Sequence, residues 1–154
     1  MRARDRRRKH TIQRIAIEAH RWACRVRDDE GWVYSDLCGA CVITAAYTLK
    51  RLIEAGIGNA RFVRGNGHAY VRVGKLLVDS TGMQFGFPRV WVRDTIPTGD
   101  REALDIYRDR GSAATVEGAV NEMRDAGWYM DASRIVTYVG LKQQRRQRRR
   151  RKAA

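Results

Sequence analysis

The sequence predicts an α+β domain, with helices packed against one face of an antiparallel meander. Three observations carry this expectation. Segments 11–27 and about 38–55 repeat apolar residues at three- and four-residue steps, the period of a helix with one buried face. The stretch from 61 to 93 breaks into short apolar runs separated by glycines, as strands joined by turns do. Helical spacing returns after residue 100.

Taken in order, residues 1–10 hold six Lys/Arg and one Asp and are expected to form a disordered basic arm. The first helix buries Ile12, Ile15, Ala16, Ala19, Trp22, Ala23 and Val26, and Asp28 to Gly31 ends it. Trp32, Val33 and Tyr34 make a short link. The second helix runs from Cys38 or Gly39 to Ala55, with Ser35 or Asp36 as its cap and Gly56 as its stop. Its stripe is Val42, Ala45, Ala46, Leu49, Leu52 and Ile53. The small, apolar start of this helix marks it as central and buried. Arg61 to Arg64 is the first strand, and Gly65-Asn66-Gly67 reads as a turn. Tyr70, Val71 and Val73 pair with Leu76, Leu77 and Val78 across a Gly74-Lys75 turn. A fourth strand falls at 90–93, and helical patterns at 100–110 and 115–126. Segment 134–141 fits strand or helix equally. The tail, 142–154, is low in complexity and cannot build a core. One domain is therefore expected over 11–141, between a basic arm and a basic tail.

The net charge of +14 divides into +5 on residues 1–10, +8 on 142–152 and about +1 on all the rest. The charge thus belongs to the ends and need not describe the chemistry of the domain. Arg145, Arg146, Arg148, Arg149, Arg150, Arg151 and Lys152 suit phosphate contacts with a nucleic acid, or an acidic membrane surface. No aromatic residue interleaves with them, which argues against base stacking. Arginine outnumbers lysine 26 to 5, which fits phosphate contacts or merely GC-rich coding DNA. No run of about 18 apolar residues exists, so no membrane span is expected. No apolar segment follows the basic start, which argues against a secretory signal. An odd cysteine count, three, without such a signal points to free thiols in the cytoplasm. Cys38 and Cys41 form a C-x-x-C, but a zinc site would want a second pair of Cys or His ligands at close spacing. A thioredoxin-like pair would want an alternating strand before it. Neither is present, and no cofactor or metal is expected.

The same two cysteines sit at the N-terminal turn of the buried helix, where unpaired N–H groups and the helix dipole favour a thiolate. Those N–H groups can also hold the oxyanion of a tetrahedral intermediate. His68 opens one strand of the hairpin and Asp79 closes the other, so the turn brings them side by side. A thiol, an imidazole and a carboxylate in that relation make a nucleophile, its base and the group that orients the base. Cys24 reads as a core residue of the first helix.

The segment "GACVITAAYTLKRLIEAGIGNARFVRGNGHAYVRVGKLLVDST" resembles the core of the transglutaminase-like, papain-type cysteine peptidases. The matching residues are Gly39-Ala40-Cys41, Gly56-Ile57, Arg61, Val63, Gly65, His68-Ala69-Tyr70-Val71 and Val78-Asp79-Ser80-Thr81. The following Gln84-Phe85 is similar to small microbial members. The likeness covers roughly residues 37–86, a third of the chain. It implies a papain/transglutaminase-like core in which the helix carrying the cysteine packs on the sheet carrying His and Asp. It further implies Cys41 as nucleophile, His68 as base and Asp79 as orienter, with Cys38 as a backup thiol. Tyr70 stands where the family usually has tryptophan, and no glutamine before the cysteine completes an oxyanion hole, Gln13 being too distant to assign. Trp32, Tyr34, Tyr70 and Gln84 are candidate cleft residues. The implied activity is hydrolysis of a peptide or amide bond through a thioester, on a peptide or protein substrate. Deamidation or transamidation would use the same site, and arylamine N-acetyltransferase chemistry a similar triad on a longer chain. The alternative is a catalytically silent domain that binds protein or nucleic acid through its basic tails.

Overall fold

The computed structural model of the chain describes residues 3–30 and 40–127. Its elements are α1 (Ala3–Glu30), α2 (Cys41–Glu54), β1 (Ala60–Arg64), β2 (Ala69–Val73), β3 (Leu76–Asp79), a 3-10 turn (Gly82–Phe85), β4 (Trp91–Arg93), α3 (Arg101–Ile106), β5 (Gly111–Ala113) and α4 (Val116–Asp125). The mixed α+β class is as expected, and no described helix is long and apolar enough to cross a membrane.

The five strands form one antiparallel sheet in the order β4-β3-β2-β1-β5. Strands β1 to β4 are the meander the sequence predicts. β5 is an addition: the short Gly111-Ser112-Ala113 pairs with the free edge of β1, Val63 opposite Ser112. Three small residues give no β-propensity signal, so only the unpaired edge of β1 makes them a strand. A Cβ at Gly111 would lie 1.8 Å from Glu122 Oε1 and would displace that side chain, whose Oε1 accepts from Arg64 Nε and ties α4 to β1.

The first helix begins at Ala3 rather than near residue 11, so residues 3–10 are helical where a disordered arm was expected. Arginine is a strong helix former, and no Gly or Pro interrupts the segment. Asp5 lies in the first turn, where the helix dipole favours an acid. Arg8 also donates to the side chain of Asn59, in the turn before β1.

The second helix starts at Cys41, later than expected, with Ala40 as its N-cap and no side-chain cap bond. Ser35 and Asp36, the expected caps, lie outside the described residues. Gly56, at φ +77°, follows the last turn and donates to the carbonyl of Ile53, the stop the sequence predicts. Ile53 itself, expected in the buried stripe, is 41% exposed. It falls on the α2 face away from the sheet, while Leu49 and Leu52 are fully buried.

Alternation along the strands gives the sheet two apolar faces. Phe62, Val71, Val73 and Val78 pack with Leu49 and Leu52 of α2, Ile12 and Ile15 of α1, and Met123 of α4. Val63, Tyr70 and Leu77 point the other way, where Ile106 and Tyr107 at the end of α3 cover them. The helices therefore do not all lie on one face: the opposite face is too apolar to leave in water and takes α3 as its cover. A further cluster joins α1 to α2, with Trp22 stacked on Tyr47 at 4.3 Å between ring centroids.

Segment 134–141 and the tail with its seven basic residues lie outside the described residues, as do Trp32, Tyr34 and Cys38.

Candidate active site

Three elements bring the site together. Cys41 is the first residue of α2, so its sulfur sits beside backbone N–H groups that have no partner within the helix. His68 precedes β2. The turn before it is tight: Gly65 N–H donates to the His68 carbonyl at 2.8 Å, and Gly67 adopts φ +64°. Gly65 passes so close to α3 that a Cβ would lie 2.0 Å from the Ile106 carbonyl oxygen, which accepts from Asn66 N–H at 3.2 Å. Asp79 ends β3. One step beyond the Val71–Val78 pair, Tyr70 faces Asp79, and His68 is the diagonal neighbour on that same face.

His68 Nε2 and Asp79 Oδ2 are 2.8 Å apart, with both side chains at most 1% exposed. A carboxylate only accepts, so Nε2 carries the hydrogen and Nδ1 is left as the basic nitrogen. Gln84 Nε2, on the 3-10 turn, lies 3.3 Å from Nδ1 and also donates to the Thr81 carbonyl at 3.2 Å. Cys41 is near enough to the ring to help favour its charged form, after the larger effect of Asp79.

The carboxylate is fully committed. Oδ2 accepts from His68 and from Tyr107 Oη at 2.6 Å, and Oδ1 accepts from Thr81 N–H at 2.8 Å and Thr81 Oγ1 at 3.2 Å. Burial by itself would raise the Asp79 pKa, but the His68 charge and these donors outweigh it and hold the carboxyl below its usual range. Burial likewise opposes the charged ring of His68. The Asp79 charge and hydrogen bond, assisted by Cys41, reverse that and raise the ring above its ordinary value. The Tyr107 hydroxyl, buried beside the carboxylate, is pushed up and stays protonated as a donor. The surroundings favour the imidazolium–carboxylate pair, so the neutral ring, with Nδ1 free of hydrogen, readily takes up a proton, and a neighbouring thiol can supply it.

Aromatic residues wall the ring. Phe85 meets it edge-on at 4.9 Å and Tyr107 at 5.6 Å. Tyr70, a candidate cleft residue, is instead 1% exposed, and its hydroxyl donates to the Tyr107 carbonyl at 2.6 Å. It braces the segment that carries Tyr107. Gln84, by contrast, reaches the His68 ring. Gln13 is exposed on α1, beside His10 and Arg14. Tyr107 is the residue that sequence reasoning misses. It lies 28 positions from Asp79, at the end of a six-residue helix, and no local pattern links them. Among the described residues, no group of three or more Cys, His, Asp or Glu side chains could hold a metal.

No known family, curated protein or solved structure matches this chain.

Proposed function

We propose that the chain is a cysteine-nucleophile hydrolase or acyltransferase of transglutaminase-like, papain-like type, acting on a peptide or amide bond through a thioester. The observation that carries the reading is His68 itself: a buried imidazole with a carboxylate on Nε2, near a thiol at a helix N-terminus. His68 Nδ1 takes the Cys41 proton, and Asp79 holds the ring and balances its charge. The thiolate attacks the substrate carbonyl. The unpaired N–H groups of the first α2 turn supply donors for the oxyanion. The imidazolium returns its proton to the leaving amine, and water or a second amine then resolves the thioester. A substrate amine as acceptor gives transamidation, and a glutamine side chain as donor gives deamidation. Free thiols suit a reducing compartment such as the cytoplasm.

The test is acyl-enzyme trapping. The full chain is incubated with an activated peptidyl ester and the adduct is mapped by mass spectrometry. Acylation at Cys41, lost in Cys41→Ala and reduced by about 10²-fold or more in His68→Ala, supports the reading. Acylation that is unchanged in His68→Ala overturns it.

A second reading has one observation behind it. Arg4, Arg6, Arg7, Arg8 and Lys9 are all exposed on a helix, and a rigid basic segment suits a polyanion such as a nucleic acid. The Arg-rich tail would add to it. Affinity that falls steeply with salt, with the slope reduced by about one for each phosphate-contacting arginine replaced, supports this reading; salt-independent binding refutes it.

A further inference from the structure

Cys24 belongs neither to the triad nor to the fully buried core. It is half-buried on α1, and its sulfur lies 3.6 Å from Nε2 of His20, one helical turn earlier. The other ring nitrogen of His20, Nδ1, is 2.8 Å from the backbone carbonyl oxygen of Ser80. A carbonyl only accepts, so Nδ1 carries the hydrogen, and in the neutral ring Nε2 keeps its lone pair. The contact between Nε2 and the sulfur therefore has one sense: the thiol donates. The tautomer is fixed by an atom of the main chain, and Ser80 is itself anchored, its Oγ donating to the Ala16 carbonyl at 2.9 Å. Arg27, three residues on, is near enough for its charge to interact with the sulfur, although Asp28 holds its Nε at 2.9 Å. A base aimed at a partly accessible thiol, with a cation nearby, is the setting in which cysteines react.

We propose that His20 and Cys24 form a second thiol–imidazole pair, a modification site for small hydroperoxides that is separate from the triad. The half-buried sulfur, packed against the cluster of Trp22 and Tyr47, favours a small oxidant over a polypeptide. His20 Nε2 takes the thiol proton and the thiolate attacks one peroxide oxygen. The S–O bond forms as the O–O bond breaks. Sulfur loses two electrons, and the departing alkoxide or hydroxide gains them and collects the proton from His20. The products are a Cys24 sulfenic acid and an alcohol or water.

The test exposes the full chain and its Cys41→Ser variant to hydrogen peroxide with dimedone, a sulfenic-acid trap, and maps adducts by mass spectrometry. Adduct on Cys24 is expected in both proteins. It should fall by about tenfold or more in His20→Gln, which retains a donor for the Ser80 carbonyl but no base, because an unassisted thiol is only a few per cent thiolate near neutral pH. An equal rate in His20→Gln, or adduct confined to Cys41, overturns the proposal. Should His20→Gln not fold, the wild-type chain decides. Cys24 must react faster folded than in urea, whereas a thiol that is merely half-covered would react more slowly when folded.

Discussion

Replacing Asp79 by asparagine probes the proposed triad most directly, because four hydrogen bonds converge on this carboxylate. Each of its oxygens accepts two of them: Oδ2 from His68 and Tyr107, Oδ1 from the N–H and hydroxyl of Thr81. An amide offers one oxygen. Turned to keep His68 and Tyr107, it sets its NH2 against the Thr81 N–H, and two bonds are lost. Turned the other way, it sets NH2 against the ring N–H. The counter-charge of a buried imidazolium disappears in both cases. Hydrogen bonds to a charged acceptor contribute about 1.5–3 kcal/mol each, and removing one partner of a buried ion pair costs about 3–5 kcal/mol. These are overlapping descriptions of one loss, so about 3–5 kcal/mol is expected from urea unfolding near pH 6. The pH dependence has a definite sign. The folded His68 pKa lies above its unfolded value, so the stabilisation is complete below about pH 6.5 and is lost as pH rises through the raised value. The Asp79 pKa lies below its unfolded value, so that contribution is present above about pH 4 and lost as pH falls through the depressed value. The penalty of Asp79→Asn should therefore be largest between about pH 4 and 6.5 and shrink on either side. A penalty below about 1 kcal/mol, the size of one ordinary hydrogen bond, or one that does not change up to about pH 10, would refute the coupled pair.

Three further outcomes follow from the geometry. Tyr107→Phe removes one donor from a charged oxygen and should cost about 1.5–3 kcal/mol in urea unfolding, and it should lower acylation of Cys41 through a less firmly held Asp79. Gly65→Ala drives a Cβ against the Ile106 carbonyl, so about 1–3 kcal/mol of overpacking is expected, and the His68 ring resonances in an NMR spectrum should shift. Thr44→Val should stabilise the chain by about 1 kcal/mol in thermal unfolding, because Thr44 Oγ1 is buried without a hydrogen-bond partner.

Where the pattern was local, the sequence was a good guide. The hairpin from His68 to Asp79 is legible because alternation, a two-residue turn and the flanking polar residues all lie within fourteen positions, and its register then sets the pair of side chains. The stop at Gly56 is legible for the same reason. β5 is not, because Gly-Ser-Ala becomes a strand only through the open edge of β1. Tyr107 reaches Asp79 through tertiary packing alone. The helical start of α1, expected to be disordered, is not legible from composition, while helix propensity and the Arg8–Asn59 contact favour it. Cys24 reads as core from its helical phase. That phase also puts it one turn from His20, and the missing information was the Ser80 carbonyl that fixes the ring.

The sheet has a different apolar layer on each side, and the proposed triad draws on both. The sulfur is attached to the layer of α2, Val71 and Val78, while the imidazole and carboxylate belong with Tyr70, Leu77 and Tyr107. The spacing between Cys41 and His68 is thus an alignment between two separately seated bodies of side chains. Thinning either one should spoil that alignment before it melts the chain, so variants that still unfold cooperatively should already differ in thiol reactivity. Chemistry at Cys41 then becomes a gauge of core packing some distance from it.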